Sequence, residues 1–283
     1  MIECEEVRKS FKNNIVIKNV NLKLNNGEIT SLIGRNGAGK STLINLIVGY
    51  YHLDSGRISK NSLSVMPDAD NIYSSWTGLE FLSFMSKMKK TKLSEALAMA
   101  DKLGLTPKIK TKISGYSFGM KKKLSFVQCA IGDYDAYIFD EPTSGVDVPS
   151  ALVMLDIVKR LKERNAAVLL TSHNIDELER VSDYIYLLDD GKIIKEGTVN
   201  SFVDNGLEVV YYLVSPIVNE INKFVHLKSY FREIDESKNR VELAFPNEEV
   251  AIRVLKEIIL QYPVIEYYRK REKLIEKVYE PLD

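Results

Sequence analysis

Gly34-Arg35-Asn36-Gly37-Ala38-Gly39-Lys40-Ser41-Thr42 follows Ile29–Ile33, which reads as an extended strand, and precedes Leu43, Leu46 and Ile47 at helical spacing. A strand, a glycine-rich loop and a helix therefore come in that order, and the loop fits G-x-x-x-x-G-K-[ST]. Consecutive backbone N–H groups in such a loop converge on the β- and γ-phosphates of a nucleotide. Its glycines permit the required φ and a close approach. Lys40 adds a point charge, the helix beginning near it adds the positive end of a dipole, and the Ser41 hydroxyl can ligate Mg²⁺.

Upstream of the loop, Val20, Leu22 and Leu24 alternate with polar residues, and Asn25-Asn26-Gly27 predicts a hairpin turn into Ile29–Ile33. Downstream, the pattern from Trp76 to Gly104 is helical: Leu93, Leu97, Ala100 and Leu103 share one face and Gly104 ends it. Ala136–Phe139 and Ala167–Leu170 are short continuous apolar runs, which predict strands buried on both faces. Between them Asp147 predicts the cap of a helix that carries Pro149 near its start and runs to about Arg164. Strands alternating with helices predict an α/β domain built on a largely parallel sheet.

The carboxyl ends of those strands carry further chemistry. Tyr137-Ile138-Phe139-Asp140-Glu141 is an apolar strand ending in two carboxylates. Asp140 is placed to hold Mg²⁺ through water, and Glu141 to act as general base on an attacking water. His173 closes Leu169-Leu170-Thr171-Ser172-His173. The carboxyl edge of such a sheet is where α/β proteins bind ligands, so a contact to the γ-phosphate is expected there.

Composition bounds the rest. A length of 283 residues predicts about two domains. The 39 basic residues balance the 39 acidic ones, and the chain is nearly neutral on either side of Asn205. That excludes a broad nucleic-acid surface or a polybasic membrane anchor. A 45% hydrophobic content with 28% charged residues fits a soluble protein with a sizeable core. Apolar runs such as Val209–Val214 fall far short of the ~20 residues of a spanning helix, so any transport role requires another chain. The start MIECEEVRKSF lacks the plan of a signal peptide. Cys4 and Cys129 read as buried thiols of a cytosolic protein.

Composition shifts near Asp204-Asn205-Gly206. Beyond it the expected order is strand (Leu207–Val214), helix (Pro216–Phe224), strand (Leu227–Ile234), a turn at Asp235–Asn239, strand (Arg240–Phe245), helix (Asn247–Gln261) and strand (Val264–Arg269). Asn247 is the expected N-cap, and Val250, Val254 and Ile258 form an apolar stripe. This βαββαβ order is the ferredoxin-like pattern.

With Tyr116-Ser117-Phe118-Gly119-Met120 and Ser144-Gly145-Val146-Asp147 added, the motifs follow one family's order. The chain resembles the nucleotide-binding subunit of an ATP-binding cassette (ABC) transporter, over about Ile2 to Asn205. The resemblance implies an α/β P-loop NTPase of ABC type with a mixed sheet core, an antiparallel β subdomain and a helical subdomain at about 69–113. The ATPase domain would span 1–204, and 205–283 a small α+β accessory domain. ATP and Mg²⁺ are the implied cofactors. Residues Gly34 to Thr42 would hold the phosphates, with Ser41 and Asp140 on the metal and Glu141 the catalytic carboxylate. His173 would sense the γ-phosphate, and Phe11 would stack on adenine. Ser117 and Gly119 would contact the nucleotide of a second subunit in a head-to-tail homodimer holding two ATP, with Asp147 across that interface.

Two departures from the family pattern stand out. Phe118 and Met120 replace the third and fifth residues of the family signature Leu-Ser-Gly-Gly-Gln, while Ser117 and Gly119 are kept. Asp68, in Val65-Met66-Pro67-Asp68, stands where the family has Gln or Glu, a group that relays the nucleotide state. Ser117-Phe118-Gly119-Met120-Lys121-Lys122-Lys123 and the short stretch from Trp76 to Ile113 most resemble bacitracin-resistance and peptide-exporter subunits. An ATPase peripheral to the cytoplasmic face of the membrane, driving a separate permease that exports peptides or antibiotics, is the implied function. Tyr73 to Met88, with Trp76, Phe81, Phe84 and Met85, would form either a groove for a permease helix or the subdomain core. Lys121-Lys122-Lys123 opposes a helix dipole starting near Met120, a cost that a partner's triphosphate would offset; a solvated basic run is the other reading. The competing functions are a non-transport ABC protein and a regulatory ABC ATPase with slow hydrolysis.

Overall fold

Continuous apolar runs need neighbours on both faces, and the segment Met1–Val199 is arranged to supply them. The computed structural model describes residues 1–12, 14–69, 72–203, 209–216, 229–261 and 263–269. In chain order come β1 (Ile2–Phe11), β2 (Asn14–Leu24), β3 (Glu28–Ile33), α1 (Lys40–Val48), β4 (Ser55–Lys60) and β5 (Leu63–Val65). Next are α2 (Gly78–Met88), α3 (Leu93–Lys102), α4 (Phe118–Ala130), β6 (Ala136–Asp140), α5 (Val148–Glu163) and β7 (Ala167–Thr171). Then follow α6 (Ile175–Val181), β8 (Tyr184–Asp189), β9 (Lys192–Thr198) and α7 (Val199–Val203). The last elements among the described residues are β10 (Val209–Val214), β11 (Phe231–Asp235), β12 (Arg240–Phe245), α8 (Glu248–Gln261) and β13 (Glu266–Arg269). It divides into two compact units, Met1–Val199 and Asn200–Asp283.

The first unit holds a six-stranded sheet of order β5-β6-β7-β3-β8-β9, parallel except for β9. Every residue of β7, and all but the first of β3, is buried, Thr30 and Ser31 included, as strands covered on both faces require. Leu32, Ile138 and Leu169 of this sheet form one core with Leu43 and Ile47 of α1. A second, antiparallel sheet of order β2-β1-β4 shares that core through Ile2, Val7 and Leu24.

Two expectations are corrected. Asn25-Asn26-Gly27 is not a hairpin: β2 pairs with β1 from Ile2↔Leu24 to Phe11↔Asn14, while β3 lies between β7 and β8 in the other sheet. The alternating β2 suits a half-buried sheet, whereas β3 needs buried neighbours on both edges, so Gly27, at φ +69°, carries the chain between sheets. The helical pattern from Trp76 to Gly104 is broken into α2 and α3. Lys90 sits at φ +53°, which no right-handed helix accommodates. The Lys89 side chain turns inward, donating to Ser64 Oγ at 2.6 Å and to the Cys129 carbonyl at 3.2 Å. Gly104, at φ +71°, follows the end of α3 as expected.

In the second unit the sheet order is β11-β12-β10-β13, antiparallel throughout. β12 separates β10 from β11, and β10 separates β12 from β13, which is the split arrangement that βαββαβ order produces. Leu213, Val241, Leu243 and Phe245 pack against Ala251, Val254, Leu255 and Ile258 of α8. Asn247 Oδ1 caps that helix by accepting from the Val250 N–H at 2.9 Å. The expected helix beyond Pro216, and the first residues of the expected strands at 207 and 227, lie outside the described residues.

Both cysteines are buried, Cys4 2% and Cys129 0% exposed. Burial pushes each thiol up to about 12, so neither forms an appreciable thiolate near about pH 8. Ellman's reagent is expected to find no reactive thiol in the folded protein and both in guanidinium chloride.

Candidate functional site

The phosphate loop starts where β3 leaves the sheet. Gly34 is wedged there: a Cβ on it would sit 2.2 Å from the Leu188 carbonyl oxygen of β8, so only glycine fits. Gly39 precedes α1 at φ 108°, a backbone that other residues rarely adopt. Arg35, Asn36 and Gly37 are exposed, Ala38 is buried, and Ser41 and Thr42 lie in the first turn of α1. The Lys40 ammonium curls back into the loop, donating to the carbonyls of Gly34 at 2.6 Å and Arg35 at 3.2 Å. Burial pulls its pKa down, partly opposed by the charges of Glu141 and Asp140. The loop after β3 and the carboxylates at the end of β6 share one edge of the parallel sheet.

Asp140 and Glu141 emerge from β6 beside the end of β7, because Asp140 pairs in register with Thr171. The Thr171 hydroxyl donates to Asp140 Oδ1 at 2.5 Å and accepts from the Glu141 N–H at 2.9 Å. His173 lies two residues further, with Nε2 2.6 Å from Glu141 Oε1. Glu141 itself has φ +47°, a left-handed conformation costing about 1–2 kcal/mol for a side-chain-bearing residue. An alcohol at Ser41 and a carboxylate at Asp140 are hard oxygen donors of the kind that suits Mg²⁺. Among the described residues no cluster of three or more His, Cys, Asp or Glu could hold a metal alone, so phosphate and water would have to complete its shell.

The signature turn is built differently from the expected helix start near Met120. Ser117 is the N-cap of α4, its Oγ accepting from the Met120 N–H at 3.2 Å. A Cβ on Gly119 would lie 2.8 Å from the Gly145 carbonyl oxygen, and one on Gly145 2.8 Å from the Phe118 ring. Hence the two glycines allow the turn and the Ser144–Asp147 loop to interlock. Lys122 and Lys123 do not form a solvated basic run. Lys122, 8% exposed, donates to the Glu141 carbonyl at 2.9 Å, and Lys123 pairs with Asp147 Oδ2 at 2.5 Å. Asp147 also caps α5 through the Ser150 N–H at 3.0 Å.

Two candidates stand apart from this cluster. Phe11, 40% exposed at the end of β1, meets the Tyr51 ring edge-on at 5.2 Å. Asp68 is exposed and has no hydrogen-bond partner among the described residues. Sequence reasoning missed Thr171, Lys122 and Glu177. Glu177 accepts from Thr143 Oγ1 at 2.7 Å and so ties the segment after Glu141 to α6. The register of β6 against β7 is the signal that would have found Thr171. Nothing local marks the other two.

Comparison with known proteins places this geometry. Residues 17–144 match the family model described as ABC transporter. The linearmycin resistance ATP-binding protein LnrL of Bacillus subtilis (strain 168) is 32% identical over 238 residues, 78% of this chain and 76% of the relative. The uncharacterized ABC transporter ATP-binding protein YxlF of the same organism is 27% identical over 99% of this chain and 98% of its own. Among solved structures, one described as the ATP-binding subunit of an ABC transporter superposes with a TM-score of 0.67 at 25% identity. It covers 71% of this chain and 91% of that one.

The Lys123 ammonium, and after it Ser150, holds the Asp147 carboxyl far below the usual carboxylate range. A carboxyl whose pKa falls on folding stabilises the fold above its unfolded value of about 4 and loses that contribution as pH drops further. Asp147→Asn keeps a capping side chain and, the pair being half-exposed, is expected to cost up to about 1 kcal/mol at neutral pH. Urea unfolding should show that difference shrinking below about pH 4.

Proposed function

This chain belongs to the ABC transporter family and is one of its ATP-binding ATPases; on that premise we propose that Glu141 is the general base of its hydrolysis. The observation that carries the reading is the Glu141 carboxylate on His173, at the sheet edge where the Lys40 loop also opens. Glu141 would take a proton from the attacking water, and His173 would orient the carboxylate and meet the γ-phosphate. Lys40 and the N–H groups of Gly34 to Thr42 would hold the triphosphate. Ser41 and Asp140 would hold Mg²⁺, which supplies neutralising charge at the β- and γ-phosphates. Phe11 would lie against adenine. Asp68 would sense the nucleotide through water, its side chain being exposed. Glu141→Gln is expected to keep ATP affinity while turnover falls by about 10²–10⁴. Unchanged steady-state hydrolysis would remove Glu141 from this role.

ABC cassettes work as pairs, and Ser117 and Gly119 are proposed to close over the nucleotide of a second copy of this chain. The exposed N-terminus of α4 supports that role, since it offers N–H groups and a positive dipole end to an anion. No helix among the described residues is long and apolar enough to cross a membrane, so transport would need a separate permease. Tyr73, Trp76 and Phe84 form a stacked and edge-on aromatic cluster on the surface of the α2 region, Tyr73 58% and Phe84 40% exposed. Such a patch suits an apolar helix of that permease. Export of amphipathic peptides or antibiotics is the direction proposed, in keeping with the resistance role in the name of LnrL. The 205–283 segment is proposed as an accessory or dimer-packing domain. Affinity purification of the tagged chain from solubilised membranes is expected to bring down a separately encoded integral membrane protein. Recovery with ribosomes or DNA instead would favour a non-transport role.

A further inference from the structure

Glu141 occupies its left-handed backbone because both ends of its peptide are held. Its N–H is fixed by Thr171 Oγ1 at 2.9 Å on the β7 side, and its carbonyl by Lys122 Nζ at 2.9 Å. Lys122 comes from a different element, α4, whose first turn is the signature turn capped by Ser117. It is 8% exposed, and its ammonium also lies 3.5 Å from the Asp140 carbonyl. A buried lysine ordinarily sits against a carboxylate. Here no carboxylate among the described residues forms an ion pair with it, and main-chain oxygens at the end of β6 accept its protons instead. A full positive charge is thus committed to orienting two carbonyls.

We propose that Lys122 is a positioning residue for hydrolysis: its ammonium holds the Glu141 carbonyl and thereby aims the Glu141 carboxylate at His173 and the attacking water. The inference rests on the reading of Glu141 as general base. It has a mechanical consequence. The signature turn and Lys122 share one helix turn of α4, and Gly119 packs directly on Gly145. Movement of the turn, as when it docks on another subunit's phosphates, is therefore passed to the catalytic carboxylate of its own subunit. Each signature turn would report to its own base as well as to its partner's nucleotide.

Lys122→Met in the full chain keeps the length of the side chain and removes its donors. With Mg²⁺ and ATP, kcat is expected to fall about tenfold or more, the scale of losing a charged hydrogen bond, while KM stays within about twofold. Lys122→Arg, which restores a donor, should recover most of the loss. In a Glu141→Gln background, single-turnover hydrolysis should fall no further on adding Lys122→Met, because no carboxylate base remains to be aimed. If the Met variant does not fold, Lys122→Leu, which likewise carries no donor, makes the same comparison. Undiminished kcat in Lys122→Met, or an equal fold-loss in both backgrounds, overturns the positioning role. Full turnover in Glu141→Gln alone would instead overturn the general-base reading beneath it.

Discussion

Parallel pairing of β6, β7 and β3, each almost wholly buried, is the constraint from which the rest of the first unit follows. Parallel strands end at the same edge of a sheet. The loop after β3, the carboxylates after β6 and the histidine after β7 are consequently delivered to one place, although more than a hundred residues separate Lys40 from His173 in sequence. The burial that excludes charged residues from the interior of these strands also concentrates them at the ends. This is the physical content of the rule that α/β sheets bind ligands at their carboxyl edge.

Around that edge the chain accepts local strain and holds it with neighbours. The left-handed backbone of Glu141 is stabilised by Thr171 on one side and Lys122 on the other. The Ser144–Asp147 loop is locked to the signature turn by glycine contacts and by the Lys123–Asp147 pair. Glu177 of α6 ties the same segment down through Thr143. These contacts join β6, β7, α4 and α6 into one framework, so the region proposed to face a partner subunit and the region proposed to hydrolyse ATP are not mechanically independent.

The second unit follows a different logic. Its four strands alternate faces, one of which is covered by the apolar stripe of α8, and its antiparallel pairing needs no buried parallel core. In the order 11-12-10-13, β12 lies between β10 and β11, and β10 between β12 and β13.

Much of the fold and of the candidate site is legible in the residues themselves. The loop from Gly34 to Thr42, the apolar runs ending at Asp140 and before His173, and the caps at Asp147 and Asn247 are all local signals. Period, spacing and capping chemistry are written in neighbouring residues, and they specify element type and α/β class. The features that escape such reading depend on contacts between distant segments. Asn25-Asn26-Gly27 has the composition of a hairpin turn, yet which edge β3 pairs with is settled by the need to bury both its faces. The lysines at 121–123 read as one basic run, yet Lys122 turns inward to Glu141 and Lys123 toward Asp147, because packing places α4 over the end of β6. Local chemistry determined which residues could serve the site; burial and strand register, which exist only in the folded chain, decided which of them meet.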